Sequence, residues 1–271
     1  MAENSRRSAA GDMPGDLEEM VGVAREAGEI AMRYFTGDNR VWTKSGNSPV
    51  SEADIEVNEF LHEKLLAARP DYGWLSEESE HSDERLGRER VFVIDPIDGT
   101  RGFIAGEKQW AVCVGVVRDG RPESGVIHCP AAGRTFSAAL GKGAWLNGSP
   151  MQTPVSSGIQ RVTGSKRLNT ELAEHFAGRI DIVPFIPSLA CRIVMVANGE
   201  LDGAFARPGA HDWDLAAADL ILSETGGAIV DLAGDPLRYN QAKLGFPSLL
   251  AAGPGRLGAL FALAKDGGFL Q

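Results

Sequence analysis

Six consecutive residues, Asp95-Pro96-Ile97-Asp98-Gly99-Thr100, put two carboxylates three positions apart at the end of the apolar run Val91-Phe92-Val93-Ile94. Pro96 stiffens the bend between the acids, and Gly99 permits a close approach to the backbone. Carboxylates at a strand end, followed by the free N–H groups of a helix start, suit a hard cation and a phosphate bound side by side. Taken alone, the same residues also fit a turn with solvated acids. Two further acidic segments bear on that choice. Glu77-Glu78 follows Trp74-Leu75-Ser76, and Asp212-Trp213-Asp214 opens an apolar stretch from Leu215 to Leu222. Each has a simpler reading by itself, as surface charge for the glutamates and as a dipole-stabilised helix acid for Asp214. If Glu77, Asp95, Asp98 and Asp214 converge, each like-charge pair at about 4 Å costs roughly 4 kcal/mol at an effective dielectric of about 20, and bound cations are what offsets it. Oxygen donors without His or Cys favour Mg²⁺ or Mn²⁺ over zinc.

The chain around these residues has 271 positions, 27 Lys+Arg against 37 Asp+Glu and hence a net charge of −10, with 43% hydrophobic and 24% charged residues. That is enough for one large domain or two modest ones, and it excludes disorder, collagen and a disulfide scaffold. The negative balance argues against a nucleic-acid polymer or an anionic membrane as partner, because both need a basic surface. Cys113, Cys129 and Cys191 form no C-x-x-C, which points to a reducing compartment and gives no zinc spacing. No apolar run follows Arg6 and Arg7, so a cytoplasmic protein is expected, with residues 1–15 as a disordered N-terminal tail.

The elements that must position the acids follow from periodicity. Leu17 to Phe35 carries apolar residues at three- and four-residue steps, a helical stripe. Ser51-Glu52-Ala53-Asp54 opens a second helix that Pro70 ends, with cap-then-acid spacing at its start. Between them, Val41 to Pro49 reads as a polar loop containing Lys44. Val91 to Ile94 reads as a buried strand, and Trp110–Val117, Gly125–Cys129 and Arg134–Leu140 as an antiparallel meander. Beyond residue 150, short apolar runs alternate with helical patterns, including one from Ser188 to Ala197, which predicts a second sheet flanked by helices. The expected organisation is a metal-binding α+β lobe over 16–150 and an α/β lobe over 151–271, both parts of one catalytic unit.

Asp95-Pro96-Ile97-Asp98-Gly99-Thr100 and Trp213-Asp214-Leu215-Ala216-Ala217, with Glu77-Glu78-Ser79 and the Lys44 to Asp54 segment upstream, resemble the motifs of the inositol monophosphatase superfamily of magnesium-dependent, lithium-sensitive phosphatases. The resemblance runs from about Leu17 to Ala264. It implies an α/β (α+β) fold, a layered αβαβα sandwich like that of inositol monophosphatase and fructose-1,6-bisphosphatase, with two mixed sheets, and a homodimer. By that resemblance Glu77, Asp95, the carbonyl of Ile97, Asp98 and Asp214 hold two or three Mg²⁺, with Mn²⁺ as substitute. Gly99 and Thr100 offer N–H groups to the phosphate, which Asp98 and Asp214 also approach. Asp54 and Thr100 orient and deprotonate the attacking water, with Glu77 counted in the same catalytic group. Lys44 resembles a flexible lysine near a loosely bound metal, and Glu78 a less direct or bridging ligand.

For the substrate, inositol-preferring relatives carry an acid a few residues before Trp-Asp, whereas Gly203 to His211 contains none. Arg207 and Arg192 stand where relatives acting on 3′(2′),5′-bisphosphate nucleotides carry basic residues, and Ser188 opens the helix that bears Arg192. An arginine pair grips a second phosphate bidentately; the alternative is that both are surface or intersubunit residues. The reading is a Mg²⁺-dependent phosphate monoesterase for a small phosphorylated metabolite, a 3′(2′),5′-bisphosphate nucleotidase. Inositol-1-monophosphatase and histidinol-phosphate phosphatase are alternatives, and a non-catalytic metal- or ligand-binding regulator is the rival from another class. An aspartyl-phosphate phosphatase would separate its acids by one residue rather than two, and 7% aromatics does not suggest a sugar cleft. Of the five histidines, His211 alone is expected near the pocket.

Overall fold

Leu17, Met20, Val21, Ala24, Ala27 and Ala31 recur on one face of α1 (Gly15–Tyr34) and are buried. They meet Val57, Leu61 and Leu65 of α2 (Glu52–Ala68), so the two amphipathic helices form one outer layer. The structure, a computed structural model, describes residues 13–44, 49–176 and 178–266. The tail expected over residues 1–15 lies outside them up to residue 12; Met13 already packs against the helix layer and Gly15 begins α1. The segment expected as a polar loop is instead a short antiparallel ribbon of β1 (Val41–Thr43) and β2 (Pro49–Ser51), with Ser45 to Ser48 outside the described residues. β-branched Val41, Thr43 and Val50 suit that extended pairing, which delivers Ser51 to the start of α2.

The helix layer rests on a seven-stranded sheet of β3 (Gly73–Ser76), β4 (Arg90–Asp98), β5 (Ala111–Arg118), β6 (Arg121–Cys129), β7 (Arg134–Ala139), β8 (Gly143–Leu146) and β9 (Ser149–Met151), in that order. Only β3 and β4 pair in parallel. Phe92 and Ile94 face the α1–α2 core, while Val91 and Val93 face the opposite side, the alternation of a strand buried on both faces. The β8–β9 hairpin was not expected from sequence, although its turn carries a local signal. Asn147 and Gly148 both have positive φ, 52° and 79°, the conformation that Asn-Gly supplies to a two-residue hairpin.

The second sheet has the order β11 (Asp181–Ile182), β10 (Arg161–Thr163), β12 (Gly203–Ala206), β14 (Leu249–Ala252), β13 (Ala228–Asp231) and mixes parallel with antiparallel pairs. Helices α5 (Leu189–Ala197) and α6 (Asp212–Glu224) lie between the two sheets, and α4 (Lys166–His175) and α7 (Leu257–Asp266) cover the outer face. The result is an α/β sandwich in five layers. Small residues set the spacing of its middle: a Cβ on Gly125 of β6 would sit 2.8 Å from Ala217 Cα, so α6 lies directly on the sheet. Among the described residues no helix is long and apolar enough to cross a membrane.

Candidate active site

β4 does not stop at Ile94, where the apolar run ends, but continues through Asp98. Asp95 pairs with Cys113 and Asp98 with Ala111, so three steps on β4 oppose two on β5, a bulge of one residue. Residues three apart in a regular strand face opposite sides. The extra residue restores parity, leaving Ile97 in the α1–α2 core and turning both carboxylates toward α5 and α6. Pro96 sits within this irregularity, where a missing N–H breaks no regular ladder.

Each acid is then held from a different element. Asp95 Oδ1 accepts the N–H of Ile97 at 3.0 Å. Asp98 accepts from Ser188 Oγ at 2.5 Å, Ala190 N at 2.6 Å and Leu189 N at 3.3 Å, so the first turn of α5 donates directly to its carboxylate. Asp54 and Asp214 occupy the same position, the third residue of a helix, and each turns one oxygen back on the residue before the helix. Asp54 Oδ2 accepts from Ser51 N at 2.8 Å and Ser51 Oγ at 2.6 Å, and Asp214 Oδ2 from His211 N at 2.6 Å. Their other oxygens remain for the site: Thr100 Oγ1 lies 3.3 Å from Asp54 Oδ1 and 3.0 Å from the Ile97 carbonyl. Glu77 follows β3, and its N–H bonds the carbonyl of Ile94 at 3.2 Å, which sets it beside Asp95.

Asp95, Asp98 and Asp214 each offer a carboxylate oxygen within 4.8 Å of the others. Burial raises the pKa of all three, strongly for Asp95 and Asp214, where neighbouring carboxylates add to the rise, while at Asp98 the hydrogen bonds from α5 and the charge of Arg192 oppose it. Burial also lifts Glu77 to about 7 against the pull of Lys44, and Asp54 to about 6 against its hydrogen bonds from Ser51. Lys44 lies 3.8 Å from Glu77 Oε1 and forms an ion pair with Glu78, so the glutamates share one cation. Arg192 is buried behind the site, where burial lowers its pKa against the pull of Asp98 and Asp214, and its Nε and Nη1 reach the carbonyls of Ser188 and Phe205 at 3.4 Å. Six buried or half-buried acids thus face two cations, and the donors are oxygens only. That set fits hard divalent cations.

Glu77, Asp95, Asp98, Gly99, Thr100 and Asp214 line a cavity of about 400 Å³. Gly99 is required there, with φ at +91° and a hypothetical Cβ 3.0 Å from Ser188 N. Arg207 is not brought to this cavity: it is exposed and lines a separate cleft with Arg167, Glu171 and Leu250. The two arginines considered for a second phosphate therefore do not share a pocket. His211 stacks on Trp213 at 4.7 Å instead of lining the cavity. Sequence reasoning missed Arg101, Lys166 and Phe185, which line the same cavity; no local pattern links them, since they come from three separate parts of the chain. A second cavity of about 380 Å³ beside α1 and α2 has an apolar floor of Met20, Leu65 and Phe92 and a rim whose Arg69, Arg90 and Arg118 are paired with acids, so size alone does not identify the site.

A five-layer α/β sandwich that gathers acids, a threonine hydroxyl and a helix start at one strand end defines a class of metal-assisted phosphoric monoester hydrolases. The chain belongs to the inositol monophosphatase family, whose model matches residues 16–262. It is 33% identical over 238 residues to the 3′(2′),5′-bisphosphate nucleotidase CysQ of Aggregatibacter actinomycetemcomitans, covering 83% of this chain and 87% of that one. It is likewise 33% identical over 232 residues to the histidinol-phosphatase of Mycobacterium tuberculosis, covering 81% and 88%. The Thermotoga maritima IMPase has the same fold, with a TM-score of 0.81, 23% identity, and coverage of 95% of this chain and 98% of that one. The protein is a phosphatase of this family.

Proposed function

We propose that the protein is a Mg²⁺-dependent 3′(2′),5′-bisphosphate nucleotidase. The observation that carries the chemistry is the convergence of Asp95, Asp98 and Asp214 within 4.8 Å beside the Thr100–Asp54 pair. Asp95, Asp98, Asp214, Glu77 and the Ile97 carbonyl would hold the cations, with Glu78 and Lys44 tuning their outer edge. Bound there, Mg²⁺ supplies neutralisation of the phosphate oxygens and acidification of water. The N–H groups of Gly99 and Thr100, at the start of the short helix α3 (Thr100–Ile104), receive the phosphate. Thr100 Oγ1 holds the attacking water and passes its proton toward Asp54. A hydroxyl carries one proton, which serves Ile97 or Asp54 at a time; occupation of the Ile97 carbonyl by a ligand leaves Asp54 as acceptor. The Ser51 clamp fixes Asp54 for that role, and its pKa near 6 suits a base working near neutrality.

The nucleotide reading is supported by the likeness to CysQ and by the absence of an acid among the residues from 203 to 211 that could bind ring hydroxyls. Phosphate release from adenosine 3′,5′-bisphosphate, inositol 1-phosphate and histidinol phosphate, each with Mg²⁺ and with chelator, tests both halves. Metal-dependent turnover fastest on the bisphosphate is expected. Faster turnover of either other substrate overturns the substrate assignment, and release that ignores the chelator overturns the metal assignment. A homodimer belongs to the same reading, and light scattering on the purified protein checks it.

A further inference from the structure

The cavity that holds the carboxylates is also lined by Lys166, the first residue of α4, and Phe185, which follows β11. Phe185 is half-buried, with the Arg192 guanidinium 5.4 Å and the Lys166 ammonium 5.5 Å from its ring centroid. Arg192 is fixed by two carbonyls. Lys166 is exposed, and among the described residues no carboxylate lies within ion-pair distance of it. Its only charge-directed contact is the ring, an attachment weaker at an exposed site than a charge-assisted hydrogen bond to phosphate. α4 also opens with Lys166 and Arg167 and no acid in its first turn, an arrangement that the helix dipole disfavours. Arg167 relieves its part by pairing with Glu171 at 2.7 Å and lines the other cleft, whereas Lys166 faces this cavity and a shallow groove beyond Phe185. Arg101 adds a positive charge to the lining and Glu107 a negative one, so the lining outside the carboxylate cluster is positive overall.

We propose that Lys166 is the specificity residue that takes the second, non-reacting phosphate of a doubly phosphorylated substrate, leaving Phe185 for it. The assignment rests on the phosphatase reading of the carboxylate end, and it places the grip on α4 instead of on Arg207. A substrate whose distal group is a cation meets repulsion from the same lysine, and one with neutral hydroxyls gains little.

The test is inhibition of p-nitrophenyl phosphate hydrolysis by adenosine 3′,5′-bisphosphate and by adenosine 5′-monophosphate, on the wild type, Lys166→Ala, Lys166→Arg and Arg207→Ala. Loss of one charge-assisted contact predicts that Lys166→Ala weakens the bisphosphate about 10- to 100-fold and the monophosphate no more than about threefold. Lys166→Arg restores most of the difference. Equal weakening of both ligands, or a selective loss in Arg207→Ala and not in Lys166→Ala, overturns the assignment. Lys166-dependent inhibition by a bisphosphate that is not itself hydrolysed upholds the subsite and rejects the nucleotidase reading. Hydrolysis of the bisphosphate with no effect of Lys166→Ala does the reverse, and a wild type that the bisphosphate does not inhibit rejects both.

Discussion

Asp98 accepts three hydrogen bonds from the start of α5, so an amide in its place would aim an NH₂ group at donors while removing one charge from the cluster. Asp98→Asn should lower kcat/KM by more than about 100-fold, the upper end of what losing a mere supporting partner of a metal site costs. Retained activity would reject Asp98 as a cation ligand. At Thr100 the loss is of a proton path: Thr100→Ala should reduce kcat by about 10²- to 10⁴-fold with KM little changed, and Thr100→Ser should recover most of it. Asp54 must be ionised to accept that proton. With its pKa at about 6 in the cation-free site, and with cations favouring the carboxylate, the acid limb of kcat should fall at or below pH 6 and be absent in Asp54→Asn.

Elements, more than single side chains, explain why these residues meet. The bulge in β4 puts Asp95 and Asp98 on one face, α5 begins against Asp98, and α6 lies on Gly125 with its first turn over the strand end. Gly99 joins two of these pieces, since its positive φ and its contact with Ser188 leave no room for a Cβ. Gly99→Ala should destabilise the fold by about 1–3 kcal/mol from backbone strain and overpacking, read as a lower urea midpoint with unchanged slope. Activity should fall further than stability, because the strain moves β4 against α5 at the site itself. At this scale part of the site was legible. Ser51-Glu52-Ala53-Asp54 announces the clamp on Asp54, as the spacing of a cap is local. The bulge was not legible, since an apolar run followed by Asp-Pro reads equally as a strand that ends and a strand that kinks.

Over the whole molecule the buried charges make two opposing contributions to stability. Acids whose folded pKa is raised, such as Glu77 at about 7, bind protons more tightly in the native state, so their contribution grows as pH falls from about 8 toward 5. His128 has the other sign. Packed on Gly28 of α1 and bonded to Thr135 Oγ1 at 3.0 Å, it is pushed by burial to about 4, so stability is lost as pH falls from 6.5 toward 4. That loss amounts to at most about 2–3 kcal/mol after allowing for its partial exposure. The raised acids outnumber His128, so the chelated protein should gain stability as pH falls from about 8 toward 5, and Mg²⁺ should raise the melting temperature most at pH 7–8. His128→Gln should steepen that gain below about pH 6.5 and leave the alkaline side unchanged. Differential scanning calorimetry with and without Mg²⁺ checks all three statements.

The amino-acid sequence by itself determined the kind of chemistry and the class of fold. Oxygen donors at a strand end, a threonine after Asp-Gly and acids at the third position of two helices are short-range patterns, and the two helices and the meander follow from periodicity within about 20 residues. Tertiary structure alone decided which groups share a pocket. The parity of β4 turns on one inserted residue, and the contact of Asp98 with α5 spans about 90 positions. Lys166 and Phe185 share a cavity with the carboxylates, and Arg207 does not, because of how α4 and the second sheet are laid against the first. Faces and distances of that kind come from long-range packing, in which a one-residue change of register reverses a side chain's direction, and no local spacing encodes it.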